Sequence, residues 1–216
     1  MIGAATDATG IAAMTDVAMT ETAMLPAGYM LKKVVARPDW LKVPEVDDIY
    51  SLSGCVSADF TDYINYWRHN GFWLFDNPGL MTEIAAEEGI DLSSLTLFYY
   101  EVFPRAFDRD ARAWTTIAAD PSFTTEVVRP PLVVPAGYDV VTFYAGSSAE
   151  CSPLSCNHLA SKITVNRHCL FASLEAARAA LEAGLFDNSE PGPCRIFAVH
   201  HLGSANSSAV TPAGTW

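Results

Sequence analysis

Long hydrophobic runs are missing from this 216-residue chain. No stretch of about 18 apolar residues occurs, so no membrane-spanning helix of ordinary length is expected. The phosphate-cradling patterns GxGxxG and GxxxxGK[ST] are absent, as are GxSxG and HExxH. Nucleotide-binding, serine-hydrolase and zinc-protease readings therefore lack their usual signal. No internal repeat is legible. Positive charge is scarce: 13 Lys+Arg stand against 25 Asp+Glu, a net charge of -12. Nucleic acid and anionic lipid need clustered cations, so neither is an expected partner.

The acidity is uneven. From Val43 to Glu101 there are 11 acids and one base, Arg68. This pattern predicts a docking face for a basic protein, as in an immunity, antitoxin or inhibitor protein, because a field of one sign speeds encounter. Asp59, Asp62, Glu83 and Glu87 are its candidate contacts, with Trp67 and Trp73 as aromatic anchors.

Five cysteines, an odd number, are not spaced like the framework of a small secreted protein. No signal-peptide pattern is read, so reduced thiols and a cytoplasmic location are expected. Residues 1–29 are rich in Ala, Thr and Met without Lys or Arg, and residues 202–216 form a tail rich in small residues. Both ends are expected to lie outside a single domain spanning 30–201.

Within that domain the periodicity is informative. Phe60, Tyr63, Ile64 and Trp67 recur at helical spacing between a capping Ser57 and Asn70-Gly71. Asn77-Pro78 should start a second helix and Gly89 end it. LTLFYYEVF from Leu95 reads as a strand, with AWTTI across a DRDAR turn as its hairpin partner. TTEVV is a further strand candidate. YDVVTFYA (Tyr138–Ala145) reads as a central strand, and SPLSCNHLA as a short helix. Ser173 and Gly184 bracket the plainest helix, and CRIFAVHHL reads as a buried last strand. The order predicts an α+β fold, a mostly antiparallel sheet with helices packed on one side.

Gly146–Cys169 concentrates reactive side chains at a strand-to-helix junction. A helix start favours thiolate, so Cys151 or Cys156 is a candidate nucleophile with His158 or His168 as base. The same loop offers a second chemistry: Cys151, Cys156, His158 and Cys169 form an N/S set that zinc accepts. A third account needs no function, since buried cysteines commonly fill small gaps. Glu101, on a strand between aromatics, is a candidate acid or base if buried. Arg105, Arg109 and Arg112 suggest an anion site or a solvated hairpin tip.

Overall fold

A computed structural model describes residues 23–60, 68–131, 134–143 and 149–205. The fold is α+β. Strands β1 (Leu25–Lys32), β4 (Thr96–Asp108), β7 (Cys194–Ser204) and β6 (Gly137–Thr142) pair antiparallel in the order β1-β4-β7-β6. β5 (Ala113–Thr116) forms the expected hairpin with β4. β2 (Val35–Ala36) and β3 (Asp48–Ile49) make a separate two-stranded ribbon. The helices are α1 (Pro78–Glu88), the short α2 (Pro153–Cys156) followed by a 3-10 turn at Leu159–Ser161, and α3 (Leu174–Glu182). No described helix is long and apolar enough to cross a membrane.

The caps read from sequence are in place. Asn77 accepts from Leu80 N, and Gly89 closes α1 in the left-handed conformation. Ser173 accepts from Ala176 N at the start of α3. Other expectations are corrected. TTEVV forms no strand. The YDVVTFYA segment supplies β6, an outer strand rather than a central one, because β4 and β7 occupy the middle. The main sheet opens at Leu25, inside the presumed extension, with Ala27 and Tyr29 buried. The helix expected after Ser57 falls largely on residues 61–67, outside the described residues.

The absence of a repeat is also corrected. PAGY occurs twice, at 26–29 and 135–138, at the start of β1 and of β6. Each copy meets the same device. The amide of Asn70 donates to Ala27 O and its carbonyl accepts from Phe72 N and Leu74 N. Asn166 does the same with Ala136 O, His168 N and Leu170 N. Each Asn is followed by a left-handed residue, Trp73 (φ 62) or Cys169 (φ 61). Phe75 then exchanges both backbone hydrogen bonds with Tyr29, and Phe171 with Tyr138. A capped helix and a returning strand follow in both halves. The glycine is required by contact. A Cβ on Gly28 would lie 2.7 Å from Leu74 Cβ, and one on Gly137 would lie 2.7 Å from Leu170 Cβ.

The sheet order is symmetric under exchange of β1 with β6 and β4 with β7. Gly28 pairs with Tyr100 and Gly137 with Val199, and Tyr100 pairs with Val199 across the centre. The molecule is thus a tandem pair of like units about an approximate two-fold axis. The matching segments differ in length (30–69 against 139–165), which hides the repeat from a search for a fixed period.

Candidate functional site: a three-cysteine cluster between the halves

One loop of the first half lies across the second. It begins at Tyr50 and runs through Leu52 and Ser53 to Cys55. Lys32, at the end of β1, is 1% exposed and donates to Leu52 O (2.7 Å) and Ser53 O (3.1 Å). It also pairs with Asp59. A buried ammonium needs such acceptors, since an unpaired one would be strongly penalised.

Asp139 on β6 grips the same loop from the other half. It is 1% exposed, and its Oδ2 accepts from Leu52 N (2.8 Å) and from Ser152 Oγ (2.6 Å). Burial pushes its carboxyl up to about 6, against the downward pull of those two hydrogen bonds and of Lys32. Ser53 and Ser152 are joined reciprocally: Ser53 N donates to Ser152 Oγ (3.2 Å), and Ser152 N to Ser53 Oγ (3.0 Å). Ser152 starts α2 without capping it, because its hydroxyl proton goes to Asp139. The fully buried Tyr100 hydroxyl has no hydrogen-bond partner among the described residues.

On this network sit three sulfurs. Cys55, Cys151 and Cys156 each lie within 4.8 Å of the others. Cys151 is fixed where Thr142 N donates to its carbonyl (2.9 Å). The α2 turn, with Cys156 N donating to Ser152 O (2.9 Å), folds Cys156 back towards it. Cys55 arrives from the other half and donates its S–H to Glu150 O (3.0 Å). Cys151 donates to Asn157 Oδ1 (2.9 Å), and Ser53 Oγ lies 3.6 Å from Cys156 Sγ. Cys55 is exposed, Cys156 half-buried and Cys151 buried, so the cluster opens to solvent at one corner. The adjoining Cys151 and Cys156 thiols hold the Cys55 thiol far below its ordinary value. Cys156, then Cys55 and burial push the Cys151 thiol up.

The expected ligand set is rearranged. Cys151 and Cys156 come together, but His158 and Cys169 are not in the cluster; Cys55 is. His158 is exposed and rests its ring on Trp40 at 4.6 Å. Cys169 occupies the left-handed position of the second Asn device and is buried in the core. The expected cysteine–histidine pair does not form either. His168 bonds Asp48 (2.5 Å) and stacks on Tyr50 at 4.1 Å, and neither histidine hydrogen-bonds a cysteine.

The acidic face divides. Glu83 and Glu87 are exposed on α1, Glu87 lying 3.8 Å from Arg68. Asp59 is committed to buried Lys32. Trp73 is half-buried and stacks on His69 at 4.1 Å. Asp62 and Trp67 lie outside the described residues. Glu101 meets His200 (3.2 Å) and Arg129 (3.4 Å). Arg109 donates to Phe186 O and Ser189 Oγ, which ties the 186–192 turn rather than leaving an anion site. Grooves of about 760 and 470 Å3 lie beside Arg109 and beside Lys42, and no cysteine lines either.

Sequence reasoning missed Cys55, Lys32 and Asp139. A signal did exist for Asp139, a lone charge within an otherwise apolar strand. Compared with protein-family models, curated proteins and solved structures, the chain finds no match.

Proposed function

We propose that this chain binds a soft metal ion, zinc foremost, through the thiolates of Cys55, Cys151 and Cys156. The convergence of three sulfurs within 4.8 Å carries the reading. A zinc ion at about 2.3 Å from each would set the sulfurs roughly 4 Å apart, which a small inward movement supplies. An all-sulfur set favours soft cations over magnesium or calcium. Three thiolates and Zn(II) leave one negative charge, and the Lys32 ammonium favours ionisation at Cys55. Turning the Asn157 amide over would present N–H in place of oxygen to the Cys151 thiolate. With three protein ligands, the fourth position falls at the open corner, for water or a small ligand. The ion would clamp the two halves together, since Cys55 comes from one and the cysteine pair from the other.

The test is cobalt titration of the reduced chain. One equivalent of Co(II), with sulfur-to-cobalt charge-transfer absorption, is expected. Cys55→Ser, Cys151→Ser and Cys156→Ser should each weaken binding at least tenfold, and Cys194→Ser should not. Binding that survives loss of both Cys55 and Cys156 would sink the reading.

A second reading, a basic protein partner, rests on the exposed carboxylates of Glu83, Glu87 and Glu88 along α1. Reversing Glu83 and Glu88 to Lys should abolish recovery of such a partner with the purified chain. Unchanged recovery counts against it. Asp59 is unsuited to that test, because its reversal would strand Lys32.

A further inference from the structure

Cys55 and the Cys151–Cys156 pair belong to different halves, and no disulfide or continuous strand joins them. Something must hold the two sequences in register before any ion arrives. One side chain bonds both at once. Asp139 Oδ2 accepts from Leu52 N, three residues before Cys55, and from Ser152 Oγ, the residue after Cys151. It projects from β6, whose register against β7 is fixed by pairing from Gly137 to Thr142. Its position in the first half is taken by Met30, so the carboxylate is not a requirement of the repeated fold. A buried carboxylate is costly, and burial here disfavours its ionised form. A β-branched apolar residue would suit the strand better.

We infer that Asp139 is the positioning residue of the thiol site: by accepting from both cysteine-bearing segments, it brings the three sulfurs to one point. Lys32 assists from β1 by holding the carbonyls of Leu52 and Ser53, while Asp139 takes the Leu52 N–H. The segment before Cys55 is thereby held through one N–H and two carbonyls. Ser53 and Ser152 complete the join by their reciprocal bonds. The inference rests on the metal reading for its metal-binding consequence, but not for the geometry of the sulfurs.

The experiment compares the full-length reduced chain with Asp139→Val, Asp139→Asn and Ser152→Ala. Asn can accept both hydrogen bonds at its one carbonyl oxygen, whereas Val accepts neither. Asp139→Val should weaken Co(II) binding at least tenfold and also lower the Tm, because it strands the buried Leu52 N–H and Ser152 hydroxyl. Asp139→Asn should stay within about threefold of the parent, and Ser152→Ala, which frees one arm, should fall between them. Rescue by Asn, with every affinity measured well below the Tm of each folded variant, separates positioning from general stability. If Asp139→Val does not fold, Ser152→Ala against Asp139→Asn carries the comparison.

A second arm omits metal and uses phenylarsine oxide, which bridges two neighbouring thiols and releases one water. The parent chain should capture it through Cys55, and Asp139→Val should capture it at least tenfold more slowly. Equal Co(II) affinity and equal arsenical capture in Asp139→Val would overturn the inference. So would an Asn variant as impaired as the Val variant. If the parent binds no Co(II) yet captures the arsenical in an Asp139-dependent manner, the metal reading fails and the positioning role stands. If the parent captures neither, both fail.

Discussion

Where the first half places Met30 on β1, the second places Asp139 on β6; where the first returning strand carries Glu101, the second carries His200. Around these differences the backbone plan is held constant. PAGY, the Asn bracket, a left-handed residue, the exchange of backbone bonds with Phe75 or Phe171, a capped helix and a returning strand recur in order. The helices even bury matching positions: Met81, Ile84 and Ala85 in α1, Ala177, Ala180 and Leu181 in α3. Scaffold positions repeat because backbone geometry leaves few alternatives. Positions that face across the axis are free to diverge, and Glu101 and His200, equivalent by register, now bond one another.

The comparison is sharpest at the glycines. Gly28→Ala and Gly137→Ala each put a methyl group within 3 Å of backbone and side-chain atoms. Each should cost about 3 kcal/mol or more in urea unfolding, because overpacking cannot relax there. A large loss in one half and none in the other would break the equivalence. Asn70→Ala and Asn166→Ala come next. Each strands two backbone N–H groups and one carbonyl, so roughly 2–4 kcal/mol should be lost in each, measured the same way.

The third prediction separates the halves. Burial raises Asp139 to about 6 from an ordinary value near 4, so the folded chain takes this proton more readily than the unfolded one. Its contribution to stability is fully present below about pH 4 and is lost as pH rises through about 6. The parent chain should therefore gain roughly 2 kcal/mol over Asp139→Asn between about pH 7.5 and 4. Parallel pH profiles would remove the asymmetry. The smallest effect is expected on the outer face of α1. Glu83→Lys and Glu88→Lys should shift stability by less than about 0.5 kcal/mol, since both side chains are exposed.

What was legible in the sequence was local. Asn77-Pro78, Gly89 and Ser173 announce helix ends because a cap bonds backbone within a turn of itself. The β4–β5 hairpin was legible for the same reason. Strand order was not, because an apolar run such as YDVVTFYA suits a centre or a well-covered edge equally. TTEVV has strand-like composition without a neighbour to pair with. At the cluster, Cys151 and Cys156 share one turn and were found together. Cys55 joins them from far along the chain, through Asp139 and two serines that no short motif links.

The outer strands carry one more consequence. Tyr29 and Lys32 of β1 bridge Phe75 and Asp59 on the side away from β4, and Tyr138 and Thr142 of β6 bridge Phe171 and Cys151 on the side away from β7. Each flank is occupied by the chain's own backbone at two points. A foreign strand seeking to extend the sheet would have to displace those bridges first, so the tandem brackets also guard against edge-to-edge self-association.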